Sequence, residues 1–229
     1  MKTTPENLQI LYEDNHLIVV NKRAGDIVQG DKTGDMPLSD IVKLYIKVKY
    51  KKPGNVFLGV VHRLDRPTSG AVIFARTSKA LSRMNEMLKK HDIEKTYLAI
   101  VKNKPQNKTG TLIDYLIKNP KNNKSTAYSQ EKAGSKKAVL HYELVASSDR
   151  YHVLKINLET GRHHQIRVQL SKIGSPIKGD LKYGFDRSNK NAGISLHAYQ
   201  IAFTHPVSKE PIALTASVPD DDIWQYFDL

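Results

Sequence analysis

Cysteine is absent from all 229 residues. That excludes disulfides, thiolate nucleophiles and cysteine-ligated metal sites, and it suits a reducing compartment. No apolar run approaches the ~20 residues a helix needs to cross a bilayer. Met1 to Gln9 is polar and lacks the apolar core of a signal peptide. A cytoplasmic protein without membrane association is therefore expected. No P-loop or dinucleotide fingerprint occurs, and no two histidines stand at the three- or four-residue spacing common among metal ligands. His163 and His164 are adjacent and would point to different sides of a helix. Neither a metal nor another cofactor is expected, and no internal repeat is apparent.

Acids are also scarce. Asp and Glu total 23 against 36 Lys and Arg, a formal charge of +13. An excess of that size suggests a polyanionic partner, most often nucleic acid. The plainer alternative is a lysine-rich surface kept for solubility. Arginine favours the first reading. Only nine are present, and four of them, Arg63, Arg66, Arg162 and Arg167, fall in two short segments. General charge is met by 27 lysines, and arginine stands where a planar, bidentate donor matters.

The first segment is His62-Arg63-Leu64-Asp65-Arg66-Pro67-Thr68-Ser69-Gly70. Apolar runs over Val56–Val61 and Ala71–Ala75 flank it and predict two buried strands joined by a rigid loop. Such a loop can present one carboxylate, Asp65, without letting it wander. Taken alone, Asp65 could equally be a surface acid paired with a neighbouring arginine.

Elsewhere the pattern predicts a hairpin of Leu8–Tyr12 and His16–Asn21 about Glu13-Asp14-Asn15. Asp31–Asp35 is a loop, and Pro37–Lys52 is a helix with Leu38, Ile41, Val42, Tyr45 and Val48 at its period. Its polar face carries Lys43, Lys47, Lys49, Lys51 and Lys52, with no acid between Ile41 and Pro53. That face is either solvated or turned to phosphates. Ser78–Lys90 is an amphipathic helix capped by Thr77 or Ser78, its stripe of Leu81, Met84 and Leu88 belonging to the core. Asn119–Lys137 is polar and lysine-rich, a loop or long hairpin arm. Ala138–Ala146, Tyr151–Glu159, Ile194–Phe203 and Ile212–Val218 are strands, and His163–Ile173 is a short helix. Strands outnumber helices, so the fold is α+β with an antiparallel or mixed sheet in one domain.

A second segment, Thr160-Gly161-Arg162-His163-His164-Gln165-Ile166-Arg167, precedes Gly179-Asp180-Leu181-Lys182-Tyr183-Gly184. Between it and the first lies Glu94-Lys95-Thr96-Tyr97-Leu98-Ala99. In this order the segments resemble the signature motifs of the RluA-type pseudouridine synthases: HRLDxxTSG, K-x-Y-x-A, GRxHQIR and GDxxYG. The likeness extends from Ile10–Asp14 and Val19–Lys22 to Leu196–Ala198 and Phe203–Pro206, nearly the whole chain. It implies the pseudouridine-synthase fold, a long curved mixed sheet with flanking helices and an active-site cleft across its middle. The family pattern begins by about Leu8, so a single catalytic domain over residues 1–229, without an appended RNA-binding module, is expected.

The resemblance further implies isomerisation of uridine in ribosomal or transfer RNA without a cofactor, by a monomer acting on a stem-loop. Asp65 would be nucleophile or base, Tyr97 would stack on the target base, and Arg167 would be the counter-charge of Asp65. Arg63 would fill the gap left by a flipped nucleotide, with Arg66, Lys95, Arg162, His163 and Gln165 as further RNA contacts and His62 structural. The alternative from another class is a non-catalytic RNA-binding protein that retains the fold. Two positions depart from the family: Arg23 stands where proline is frequent, and Gln169 where histidine is frequent. Both would bear on RNA contacts.

Overall fold

The computed structural model describes residues 2–31 and 33–227. They form two compact units. The first comprises Met1–Glu94 with Ala198–Tyr226, and the second is built mainly on Lys95–His197.

In the first unit, β1 (Ile10–Glu13) and β2 (Leu17–Lys22) make the expected hairpin. Asp14 closes its turn, its Oδ1 accepting the N–H groups of His16 and Leu17 at 2.7 Å each. β2 then pairs antiparallel with β4 (Ser69–Ala75), which also carries the two-residue β3 (Gly59–Val60). Only that short piece of the apolar run 56–61 joins the sheet. β4 is followed across the unit by β10 (Leu196–Thr204), with β11 (Pro211–Thr215) beyond it. β4 is buried at every position, and β2 is buried through Leu17–Val20, as continuous apolar runs require.

Two helices cover this sheet. α2 (Ser78–Lys90) starts at Thr77, whose hydroxyl accepts the Ala80 N–H, and ends at His91 in the left-handed region. Its Met84 is fully buried among Leu17, Ile73 and Ile201, with Leu81 and Leu88 packed alongside, as the stripe predicts. α1 (Leu38–Lys49) buries Leu38, Ile41, Val42 and Ile46. The stripe expected from the sequence ends at Val48 instead, which is 75% exposed: a straight helix carries Ile46 inward one turn after Val42 and rotates Val48 away. Glu13 ties this helix down, accepting from the Tyr45 and Tyr50 hydroxyls and the Lys49 ammonium.

The second unit is an antiparallel sheet in the order β5 (Ile93–Val101), β9 (His152–Leu158), β8 (Lys136–Ser147), β6 (Thr109–Asn119), β7 (Lys124–Tyr128). The polar segment 119–137 is therefore mostly the end of a hairpin arm rather than a loop, with Tyr115–Asn119 paired to Lys124–Tyr128. α3 (Gln165–Lys172) packs on this arm through a cluster of Val168, Leu116, Ala138 and Tyr183. No helix among the described residues is long and apolar enough to cross a membrane.

One buried charge organises the first unit. Lys22 is 1% exposed, and its ammonium donates to three carbonyl oxygens: Thr68 at 2.7 Å, Arg23 at 2.9 Å and Arg66 at 3.1 Å. Burial pushes its pKa down to about 7, while the charges of Asp26 and Asp65 pull the other way. Two of the three carbonyls belong to the loop that holds Asp65. Lys22→Met would take the ammonium from all three, leaving Arg66 O with the Gly25 N–H, Arg23 O with the Asp26 N–H and Thr68 O stripped of its donor. The loss should be about 1–3 kcal/mol and roughly 3–9 °C in melting temperature for a chain this size. A melting curve unchanged by the substitution would show that the Thr68 carbonyl finds another donor.

Candidate active site

The Asp65 loop is fastened at both ends. On its near side His62 Nε2 accepts the Ile73 N–H, and Val61 donates to the Ile73 carbonyl, which binds the loop's entry to β4. This agrees with a structural reading of His62. Within the loop the Asp65 carbonyl accepts from Thr68 N–H at 3.0 Å, and Arg66 O accepts from Gly25 N–H at 2.8 Å. On the far side Gly70 has φ +115°, and a Cβ there would lie 2.3 Å from the Ala198 carbonyl oxygen. Only glycine can take that backbone against the neighbouring strand. Between these anchors Leu64 and Thr68 are buried, Asp65 is half-buried and Arg63 is exposed. Arg66 reaches back to the 31–35 loop, with Nη2 2.8 Å from Asp35 Oδ2 and 2.7 Å from Thr33 Oγ1. That guanidinium holds the Asp35 carboxyl below its ordinary range.

In the second unit Lys95 and Tyr97 share one face of β5, as strand alternation requires. Tyr97 is buried at 7% exposure. Lys95 is half-buried, and burial lowers its pKa. Its ammonium lies 3.6 Å from where a Cβ on Gly161 would sit, so the strand motif and the Gly161-Arg162 motif are neighbours.

The turn into α3 is built by Gln165. Its side-chain Oε1 accepts from Thr160 Oγ1 and Arg162 N–H, both at 2.9 Å, and its Nε2 donates to Val139 O at 3.1 Å. Arg162 is exposed and sends Nε to Lys137 O at 2.9 Å. The helix begins at Gln165 rather than His163, because His164 takes φ +55° as its N-cap. This left-handed residue overturns the expectation that the two histidines point apart: their rings stack with centroids 3.8 Å apart. His163 faces Ser125 Oγ and Asn123 Oδ1, and His164 Nδ1 lies 2.8 Å from the Tyr183 hydroxyl.

Arg167, in the middle of α3, is 5% exposed. Asp180, 1% exposed, meets it side-on, with Nε–Oδ2 at 2.7 Å and Nη2–Oδ1 at 2.8 Å. The Tyr183 ring lies 5.1 Å from the guanidinium carbon, and its hydroxyl also accepts the Ser125 N–H at 2.8 Å. Asp180 and Tyr183 reach these places through a single turn of 3-10 helix, Leu181–Tyr183, bounded by Gly179 and Gly184 at φ +86° and +96°.

Arg63, Asp65 and Arg66 thus share one loop of the first unit, while Lys95, Tyr97, Arg162, His163, Gln165 and Arg167 lie in the second. Sequence reasoning gives no role to Lys22, Asp180 or Tyr183. All three lie within the segments that carry the family likeness, and Asp180 offers the usable signal: an acid between two glycines downstream of a helix with one apolar-edge arginine. Gln169 departs from expectation. It is fully buried and donates its amide to Asp114 Oδ2 at 2.8 Å, so this position acts on internal packing rather than on RNA.

Comparison with known proteins agrees with the motif order. The family model for RNA pseudouridylate synthase matches residues 16–172. The chain is 33% identical over 236 residues to tRNA pseudouridine synthase C of Haemophilus ducreyi, covering 95% of this chain and 93% of that one. It is 33% identical over 224 residues to ribosomal large subunit pseudouridine synthase D of Zymomonas mobilis, covering 93% and 70%. Among solved structures, human RNA Pseudouridylate Synthase Domain Containing 4 superposes with a TM-score of 0.77 at 23% identity over 93% of this chain and 89% of that one, a likeness of fold. The chain belongs to the RNA pseudouridylate synthase family, an isomerase that acts on RNA, and it has the pseudouridine-synthase fold.

Proposed function

We propose that this chain converts specific uridines of ribosomal or transfer RNA to pseudouridine, as a monomer in the cytoplasm, with both units acting as one catalytic domain. Asp65 is the nucleophile or base. The observation that carries this assignment is its mounting: a half-buried carboxylate on a loop nailed by Lys22, His62 and Gly70. The reaction breaks the bond from C1′ to N1, turns the uracil, and rejoins C1′ to C5. N1 gains a proton and C5 loses one, with no net redox change. A carboxylate ionised at neutral pH suits the first step, and a positioned base suits the last. Arg167 is assigned as the counter-charge of Asp65, as the family resemblance implies. Pseudouridine mapping of total RNA from cells with and without the gene tests the reading. A missing pseudouridine identifies the target, and an unchanged map returns the chain to RNA binding alone.

Tyr97 is assigned to stacking on the target base. A neutral phenol is a poor base, so the ring is given the larger part. Tyr97→Phe should lose less than about tenfold in single-turnover rate, and Tyr97→Ala about a hundredfold, given that base–aromatic stacking is worth ~1–3 kcal/mol. Equal losses in the two variants would move the role to the hydroxyl.

Target choice rests on a stem-loop whose uridine can be extruded, with Arg63 entering the gap it leaves and Lys95, Arg162, His163 and Arg66 as flanking contacts. Gln165, expected among them, is 3% exposed and spent on Thr160, Arg162 and Val139, so it shapes the turn instead. Phosphate attraction comes from the lysine-rich segments. Lys47, Lys51 and Lys52 lie on or just beyond α1 and are exposed. Charge reversal at Lys47 and Lys51 should flatten the salt dependence by roughly 0.7–0.9 log units per log unit of salt for each phosphate no longer neutralised. The choice of uridine should stay the same. A full slope in the variant would place the phosphate track on the hairpin arm around Lys118–Lys137.

A further inference from the structure

Arg167 does not stand alone on its helix, and the residue that holds it has no assigned part in the reaction. We infer that Asp180 is a positioning residue for Arg167; the inference rests on the proposed role of Arg167 and extends it. Three observations in the second unit carry it.

The first is the geometry of the pair. A carboxylate that meets Nε and Nη2 together fixes the plane of the guanidinium and the direction of its terminal Nη1–Nη2 edge. A single hydrogen bond would leave that plane free to turn. The second is the ring of Tyr183 against the guanidinium, itself held by the Ser125 N–H and by His164. Ring and carboxylate restrict the same group from different sides. The third is burial. Asp180 is 1% exposed and Arg167 is 5% exposed. A buried ion pair stabilises a fold little better than apolar residues of the same volume, so its use must be sought elsewhere. Orienting a charged donor before substrate arrives is such a use, because no reorganisation is then needed during reaction.

The turn that delivers Asp180 has the rigidity this requires. Its carbonyl accepts from the N–H groups of Tyr183 and Phe185, and its own N–H donates to Ile177. Gly179 has φ +86°, and a Cβ there would lie 2.7 Å from the Asn189 side chain, which Lys178 and Ser195 hold in place. Glycine lets the chain pass this crowded point and turn Asp180 inward.

Asp180→Asn tests the inference, measured alone and in an Arg167→Ala background. The amide keeps the shape but turns one acceptor into a donor aimed at a guanidinium N–H. Alone, the variant should lose at least about 30-fold in single-turnover rate while RNA affinity stays within about threefold. In the Arg167→Ala background the same change should alter the rate by less than about threefold, because the group it positions is gone. An unchanged rate, an equal loss of affinity, or losses that simply multiply would each overturn the inference. If Asp180→Asn does not fold, the wild-type protein decides. Hindered rotation of the Arg167 guanidinium, seen as separate Nη signals in nitrogen-15 spectra and assigned by Arg167→Lys, is expected. A freely rotating group would overturn it. The spectra need no turnover, so they also separate failure of this inference from failure of the functional reading.

Discussion

Asp65→Asn should fold, bind RNA within about threefold of the parent, and lose at least about a thousandfold in single-turnover isomerisation. The amide is isosteric with the carboxylate but is neither a nucleophile nor a base at neutral pH. The loop around it is also held by other groups. Its anchors are backbone groups held by Lys22 and His62, and the backbone of Gly70. One small structural cost is expected, since Asp65 is one of two carboxylates whose charge supports the buried Lys22 ammonium. Melting should therefore fall slightly, far less than in Lys22→Met. Release of tritium from C5-labelled uridine in a transcript measures the chemistry, and filter binding measures affinity. Turnover near the parental rate would remove Asp65 from the reaction. A parallel collapse of affinity would instead make the loop a binding element.

The chain's elements differ in how legible they are in the sequence, and the differences have physical causes. β2 and β4 read plainly because strands buried on both faces are continuous apolar runs. α2 reads plainly from its stripe and its threonine cap. β6 does not read at all. Its Thr-Gly-Thr-Leu-Ile-Asp-Tyr opening mixes turn residues with half-exposed positions, and what makes it a strand is pairing with β8 and β7, which no local pattern records. The start of α3 falls two residues later than its pattern suggests because His164 adopts φ +55°, a conformation its residue type only weakly signals. Asp180 and Lys22 both stand inside motif segments, but what each of them holds cannot be read there. Their importance comes from burial and from partners 13 to 46 positions away, as with Arg167 for Asp180 and the Thr68 carbonyl for Lys22.

Arg167→Ala is expected to be nearly as damaging to the rate as Asp65→Asn, and unlike it to weaken the fold. Removing the guanidinium leaves Asp180, 1% exposed, without its side-on partner. Stranding a buried charge costs about 3–5 kcal/mol, roughly 10 °C in melting temperature for a chain of this length. The rate should fall by a further mechanism, loss of the counter-charge assigned to Asp65, by roughly 500- to 1000-fold. The two effects can be pulled apart. Adding Asp180→Asn to Arg167→Ala removes the stranded charge and should recover most of the lost stability. It should recover none of the lost rate, because an asparagine at that place supplies no cation. Arg167→Lys should behave differently again, keeping the charge but offering a single ammonium where the carboxylate needs a planar fork, so both stability and rate fall partway. Recovery of the rate along with stability in the double variant would mean that Arg167 serves the fold alone, and the counter-charge of Asp65 would have to be sought among the other cations.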